Sequence, residues 1–429
     1  MKEMSASAKL ERIEPPREIV LPVSQHLGAP AKTIVKKGDV VMKGQMVAEA
    51  NGYVSSPVHS PVSGKVLGIE ARPTVLGRFC DHIVIESDGE GRWADKLNQK
   101  RGWHEMGADH IRAAIRDAGV VGMGGAGFPT HVKLSPPHDR HIDTLIINGI
   151  ECEPYITADY RLMLEYARGI AEGVRIIMKV LGLDGAIIGV ESNKRDAFEK
   201  MRDTLWAEEK IKVELLDVKY PQGAEKQLIE ALTGREVPAG KLPLDVGVVV
   251  QNVGTAYAIY EAVAEGRPLI ERAVTVTGDG VARPANLIVP IGTPLSVLLE
   301  RQGLDPKTKK IVLGGPMMGM AVPSLDLPVV KGTNGVLALK KIPNYMPGPC
   351  IRCGRCIEVC PLRGMAQEMV EAIEKGEVER YQHLHVLDCM ECGTCTFACP
   401  AHRPIVHHIK RAKAEYHAWK AKKAHEEQK

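Results

Sequence analysis

Cys350-Ile351-Arg352-Cys353-Gly354-Arg355-Cys356-Ile357-Glu358-Val359-Cys360-Pro361 recurs, spacing for spacing, as Cys389-Met390-Glu391-Cys392-Gly393-Thr394-Cys395-Thr396-Phe397-Ala398-Cys399-Pro400. Eight of the ten cysteines lie in these two runs, and Cys80 and Cys152 stand alone. A disulfide framework would spread its cysteines through the fold, whereas clustering of this kind points to metal. Three thiolates, each two residues from the next, can wrap three corners of an iron–sulfur cubane from one tight loop. The fourth, on the following helix, reaches the other cluster. The spacing therefore predicts one [4Fe–4S] centre on Cys350, Cys353, Cys356 and Cys399, and a second on Cys389, Cys392, Cys395 and Cys360. Zinc knuckles or unligated thiols are the competing readings, but structural zinc favours two Cys-x-x-Cys pairs over triplets with an outlying Cys-Pro.

Over residues 345–403 the arrangement resembles the two-cluster bacterial ferredoxins. Two neighbouring clusters make a wire for single electrons, and a wire needs a donor or acceptor at its ends. The rest of the chain is expected to supply one.

The 429 residues suggest about three domains. Gly (42) and Pro (28) favour turns and short strands over a helical bundle. The net charge of +3 is unevenly placed: residues 401–429 hold eight Lys/Arg against three Asp/Glu, so the remainder is slightly acidic. A broad nucleic-acid-binding face is thereby excluded. The longest run without Asp, Glu, Lys or Arg is 16 residues, Pro284 to Leu299, and it contains three prolines. A spanning helix needs ~20 apolar residues, so no transmembrane segment is expected. The N-terminus lacks the apolar core of a secretory signal, and a cytoplasmic protein is the expectation.

Residues 19–90 read as short strands between turns such as Lys36-Lys37-Gly38-Asp39 and Met42-Lys43-Gly44-Gln45. From residue 107 the pattern alternates. Strands are predicted at 144–148, 185–190, 212–217 and 246–250, with helices at 107–118, 159–180, 194–206, 225–233 and 255–264. Such alternation indicates an α/β domain on a mainly parallel sheet. Residues 270–340 revert to short strands, residues 342–349 read as a linker, and the chain beyond Ile405 is polar and helix-prone.

Within the α/β region, Gly122-Met123-Gly124-Gly125-Ala126-Gly127-Phe128-Pro129-Thr130 contains a literal G-x-G-x-x-G. It is no dinucleotide fingerprint, because no strand precedes it and Pro129 interrupts any helix opening there. Glycines this dense still let backbone amides approach a phosphate, and Lys133 follows within reach of an anion. Asn148-Gly149-Ile150-Glu151-Cys152-Glu153-Pro154, Tyr220-Pro221-Gln222-Gly223-Ala224-Glu225 and Gln251-Asn252-Val253-Gly254-Thr255 each close a strand, where α/β sheets place ligand groups.

These stretches, in this order across residues 115–262, resemble the flavoprotein subunit of respiratory complex I, which carries FMN and receives hydride from NADH. The resemblance implies that Gly122, Gly124, Lys133, Asn148, Asn252 and Thr255 hold a non-covalent FMN, with Gly125 and Gly127 completing the loop. It further implies that Phe128 and two acidic residues at catalytic positions, Glu153 and Glu225, face NADH. Departures are specific: Met123 stands for Arg, Ile150 for Asp, Gln251 for Asn, and Leu134 and Ser135 for aromatic side chains.

Residues 35–69 resemble biotinyl/lipoyl-type barrel-sandwich domains, but the acceptor hairpin reads Asn51-Gly52-Tyr53-Val54 and carries no lysine. Residues 271–300 resemble the soluble-ligand-binding β-grasp module that follows the flavin domain in complex I. The expected organisation is thus multidomain α/β plus β. It comprises a barrel-sandwich hybrid over 1–100, a complex I flavoprotein-like α/β domain over 101–268, a β-grasp module over 269–341, a two-cluster ferredoxin-like domain over 342–404 and a basic helical tail over 405–429. In the tail, Ile409, Ala412, Tyr416 and Trp419 recur at helical intervals, which fits either a solvated helix end or an amphipathic helix that docks on a partner or membrane surface.

This order resembles the C subunit of Rnf-type ion-translocating ferredoxin:NAD oxidoreductases. The resemblance implies a peripheral subunit on the cytoplasmic face of the inner membrane, held by integral-membrane and iron–sulfur subunits. It would exchange electrons with NADH and, indirectly, ferredoxin. Cobalamin reductases of bacterial microcompartments share the module order. The A subunit of the sodium-pumping quinone reductase shares only the front modules and lacks the ferredoxin cysteines. A cluster-bearing adaptor whose flavin site has decayed is the non-catalytic alternative, motivated by Met123, Ile150 and Gln251.

Overall fold

Short strands broken at left-handed turns build the first module. In the computed structural model, which describes residues 1–137, 139–343 and 345–427, Gly38 (φ +95°) and Gly44 (φ +81°) sit where only glycine turns without strain. Glu18–Pro22, Phe79–Ser87, Gly64–Pro73 and Val40–Val41 form an antiparallel sheet in that order, and Lys32–Thr33, Met46–Glu49 and Val58–His59 form a second. Alternation buries Ile19, Leu21, Val41, Val47, Val66, Ile83 and Ile85 completely.

The α/β region carries four parallel strands ordered Ile211–Leu216, Ala186–Glu191, Thr144–Gly149, Val248–Asn252. The first three strands step outward one way, and the fourth returns to the other side of the first. Such a reversal marks the carboxyl ends of Thr144–Gly149 and Val248–Asn252 as the place where α/β sheets hold ligands in a crevice. Helices Ala108–Asp117, Arg195–Thr204, Glu225–Thr233 and Val253–Ala264 lie near their expected positions. The expected single helix over 159–180 is two, Ala158–Glu165 and Ala167–Leu181. Tyr166 between them leaves helical geometry (φ −121°, ψ 25°) and packs its ring 5.0 Å from Tyr257. That tertiary contact leaves no trace in local periodicity.

The following region is a six-stranded mixed sheet in which Ala285–Pro290, Glu271–Thr277, Gly335–Leu339, Lys310–Leu313 and Met320–Ala321 are neighbours in that order. Its remaining edge strand is Leu10–Arg12, paired in parallel with 286–288. Leu10–Arg12, near the start of the expected 1–100 module, thus extends this sheet. Ser5, Thr157, Thr275 and Asn286 form a buried hydrogen-bonded network that fastens the N-terminal segment there.

A second compact unit comprises Glu236–Leu242 and Ile342–Lys429. Of the expected linker, Asn344 lies outside the described residues, as do the last two residues of the tail. Short helices Arg355–Glu358 and Thr394–Ala398 carry the third cysteine of each triplet, Cys356 and Cys395, and Ala366–Glu374 and Ile405–Glu427 pack together. The first three turns of the tail are packed rather than solvated, whereas from His417 onward the described side chains are exposed apart from half-buried Trp419. Ile405, Val406, Ile409, Ala412 and Tyr416 are buried in one core with Met369, Val370, Ile373, Tyr381 and Val386.

Candidate functional site

Asn148, one residue before the end of its strand, and Asn252, at the end of the neighbouring one, face each other in register. The glycine loop packs against Asn252 and Thr255. Gly122 N–H donates to Phe128 O (2.8 Å) and Met123 N–H to Thr255 Oγ1 (3.0 Å). A Cβ at Gly124 would stand 2.9 Å from Asn252 Cβ, whereas one at Gly125 would meet open space. Gly127, at φ +67°, packs against the backbone of Gln25 and His26 in the barrel-sandwich. The loop follows no strand: only an isolated bridge joins Val121 to Pro129, and the turn Thr130–Lys133 carries Lys133 onward.

The polar residues around the crevice are engaged with one another. Asn252 Oδ1 accepts from Gly254 and Thr255 at the start of Val253–Ala264, while its Nδ2 donates to Asp159 (2.7 Å). Asn148 Nδ2 donates to Gly223 O (2.8 Å), and its Oδ1 accepts from Ile150 N–H (3.1 Å). Lys133 pairs with Glu225 at 2.6 Å. Glu153 is turned toward the six-stranded sheet, where its carboxylate accepts from Met317 N–H (3.2 Å) and Met318 N–H (2.7 Å); burial pushes its pKa up. Gln251, 2% exposed and next to Asn252 on its strand, keeps a buried Nε2 without a hydrogen-bond partner.

Several residues here escaped the sequence reading. Lys194, buried, donates to Ile150 O (2.6 Å) and pairs with Glu191, and Lys2 donates to Glu151 O, so two ammonium groups fix the turn after Thr144–Gly149. Arg272, fully buried, donates to Met123 O (3.0 Å) and Lys331 O (2.6 Å), and burial lowers its pKa to about 10. Asp159 is pushed up to about 6 by burial and by Glu151. A charged residue inside an apolar strand was the available signal for Arg272. Lys2 and Lys194 had none.

In the second unit, Cys350, Cys353, Cys356 and Cys399 line one cavity of about 180 Å³, together with Arg352, Glu371, Glu374 and Arg403. Cys360, Cys389, Cys392 and Cys395 line another of about 60 Å³ with Leu362, Met369, Met390, Val406 and Ile409. Each set thus pairs one run's triplet with the other run's distal cysteine. Left-handed Gly354 and Gly393 turn the triplets inward. Cys350 and Cys353 are exposed, whereas Cys392 and Cys395 are buried. Burial pushes the Cys389 thiol up and, with Cys389 and Cys392 adjacent, the Cys395 thiol to about 12, so thiolates at these two positions require positive charge in the cavity. An iron–sulfur cluster supplies it. The sulfurs surround space rather than a point: among the described residues no three His, Cys, Asp or Glu side chains converge as a single ion needs.

No helix among the described residues is long and apolar enough to cross a membrane. Three family models match the chain: the RnfC barrel sandwich hybrid domain over residues 1–90, the Nuo51 FMN-binding domain over 115–261 and the 4Fe-4S dicluster domain over 349–402. A chain of an NAD⁺-reducing [NiFe]-hydrogenase in the air-oxidised state shares the fold. Its TM-score is 0.50 at 20% identity, and the match spans 72% of this chain and 64% of that one. The C subunit of the proton-translocating ferredoxin:NAD(+) oxidoreductase complex of Clostridium ljungdahlii is 44% identical over 97% of this chain and 92% of its own. The C subunit of the Na(+)-translocating complex of Acetobacterium woodii is 44% identical over 98% and 96%. With two such relatives aligned nearly end to end, the chain belongs to the family of C subunits of ion-translocating ferredoxin:NAD(+) oxidoreductase complexes.

Proposed function

We propose that this chain passes electrons between NAD(H), a non-covalent FMN and two [4Fe–4S] clusters, as one subunit of an ion-translocating ferredoxin:NAD oxidoreductase. The carrying observation is the union, in one chain, of a crevice under a glycine loop with eight cysteines divided four and four between two cavities. NADH yields two electrons as hydride while a cluster takes one, and bound FMN supplies the conversion.

The chain's residues hold, orient and shield. Gly122, Gly124, Gly125 and Gly127 bring backbone amides near a phosphate, and Lys133 adds a charge that Glu225 aims. Asn148, Asn252 and Thr255 fix the floor: Asn148 donates to Gly223 O, Asn252 accepts from Gly254 and Thr255 N–H, and Thr255 accepts from Met123 N–H. Phe128, Glu153 and Glu225 line the dinucleotide side. Cys350, Cys353, Cys356 and Cys399 ligate one cluster, and Cys360, Cys389, Cys392 and Cys395 the other.

The domain organisation is 1–100, 101–268, 269–341, 342–404 and 405–429. The third is a β-grasp module, a reading supported by a mixed sheet accompanied by helix Leu295–Arg301. The subunit is peripheral, on the cytoplasmic side of the inner membrane, held by integral-membrane and iron–sulfur partners. Anaerobic purification tests this reading: folded protein should contain FMN and about eight iron atoms, as two cubanes require. Stoichiometric zinc without iron, or cluster-replete protein that neither retains nor rebinds FMN, would overturn it. The second of those outcomes would favour the adaptor reading, which Met123, Ile150 and Gln251 motivate.

A further inference from the structure

The C-terminal helix forms part of the wall of the second cysteine set's cavity. Val406 and Ile409, on the first turns of Ile405–Glu427, stand in its wall. One turn further, Lys413 Nζ donates to the carbonyl of Cys389 (2.5 Å) and pairs with Glu391 (2.8 Å). Glu391 N–H in turn points at Cys389 Sγ (3.4 Å). Lysine, glutamate and cysteine therefore form a closed triangle around the first ligand of the second triplet. The other charges at this cavity are Lys410, 3.8 Å from Glu391, and the His385–Asp388 pair at 3.1 Å.

We infer that the C-terminal helix is part of the second cluster's site and that Lys413 is a positioning residue, holding the Cys389–Glu391 turn and setting that cluster's potential. The inference rests on the cluster assignment above. Reduction adds negative charge to a centre enclosed by Leu362, Met369, Met390, Val406 and Ile409, where charge is poorly screened. An ammonium beside the Cys389 carbonyl favours the reduced form, and the N–H directed at Sγ does the same. Removing Lys413 withdraws the cation and leaves Glu391 offset only by the more distant Lys410, at 3.8 Å, and both changes disfavour reduction. The first cavity, with its own Arg352 and Arg403, has no part in the triangle.

The test is an EPR-monitored redox titration of the anaerobic, full-length, cluster-replete protein, with the second cluster identified as the signal lost in Cys395→Ser. Lys413→Met should move that signal to more negative potential and leave the other in place. Lys413→Arg should stay near wild type, and Glu391→Gln should move the same signal in the positive direction. Loss of half the iron from Lys413→Met, with the first signal intact, also supports the assignment. Two unshifted signals, or two shifted equally, in replete Lys413→Met would overturn it. Wild-type protein lacking iron and sulfide would instead sink the cluster reading itself.

Discussion

Lys331 is fully buried and surrounded by neutral acceptors: Pro57 O (2.6 Å), Gly119 O (2.7 Å) and Ser56 Oγ (3.2 Å). Burial draws its pKa from 10.5 down to about 7. Between those values the unfolded chain binds one proton more than the folded one, so this group's contribution to stability rises with pH across that window and is least favourable below it. The unfolding free energy of wild type relative to Lys331→Met should therefore shift toward wild type between pH 6.5 and pH 9, read from denaturant titrations. A difference that does not vary with pH counts against the assignment. At the crevice, Lys133→Ala should weaken FMN binding by ~1.5–3 kcal/mol, the value of a charge-assisted contact, as measured by flavin fluorescence. The sequence made Lys133 visible because it follows a dense glycine string. It concealed Lys331 and Lys194, which donate to backbone carbonyls remote in the chain, and carbonyls have no residue type to read.

The elements most legible in the sequence were those built from local rules. Strand–helix alternation and the cysteine spacing belong to this class. The break at Tyr166 and the seating of the C-terminal helix were not legible, since each depends on a surface contributed by distant residues. That helix carries a firm expectation. Ile409 is 1% exposed, in a core with Met369, Ile373 and Tyr416. Ile409→Ala should cost about 2–5 kcal/mol in the stability of the cluster-bearing unit, as buried Ile-to-Ala changes do. Iron retention during denaturant titration measures it. Deleting residues 405–427 should abolish cluster retention rather than merely loosen docking, and a truncated chain with full iron would refute that.

At the scale of the molecule, the proposed placement assigns attachment at the membrane to partner subunits. Free charge on the tail contributes little, because exposed charges are screened within ~8 Å at physiological ionic strength. Protein produced alone should stay in the supernatant, and co-produced membrane partners should carry it to the pelleted fraction even in high salt. Recovery in the supernatant despite those partners would contradict the placement. The parallel pairing of Leu10–Arg12 with residues 286–288 bears on biogenesis. A ribosome adding ~5–20 residues per second needs some tens of seconds to deliver the partner strand after the first residues emerge. Through that interval the nascent N-terminus has no sheet to join, so it waits as an open strand edge, within reach of chaperones or of another nascent copy.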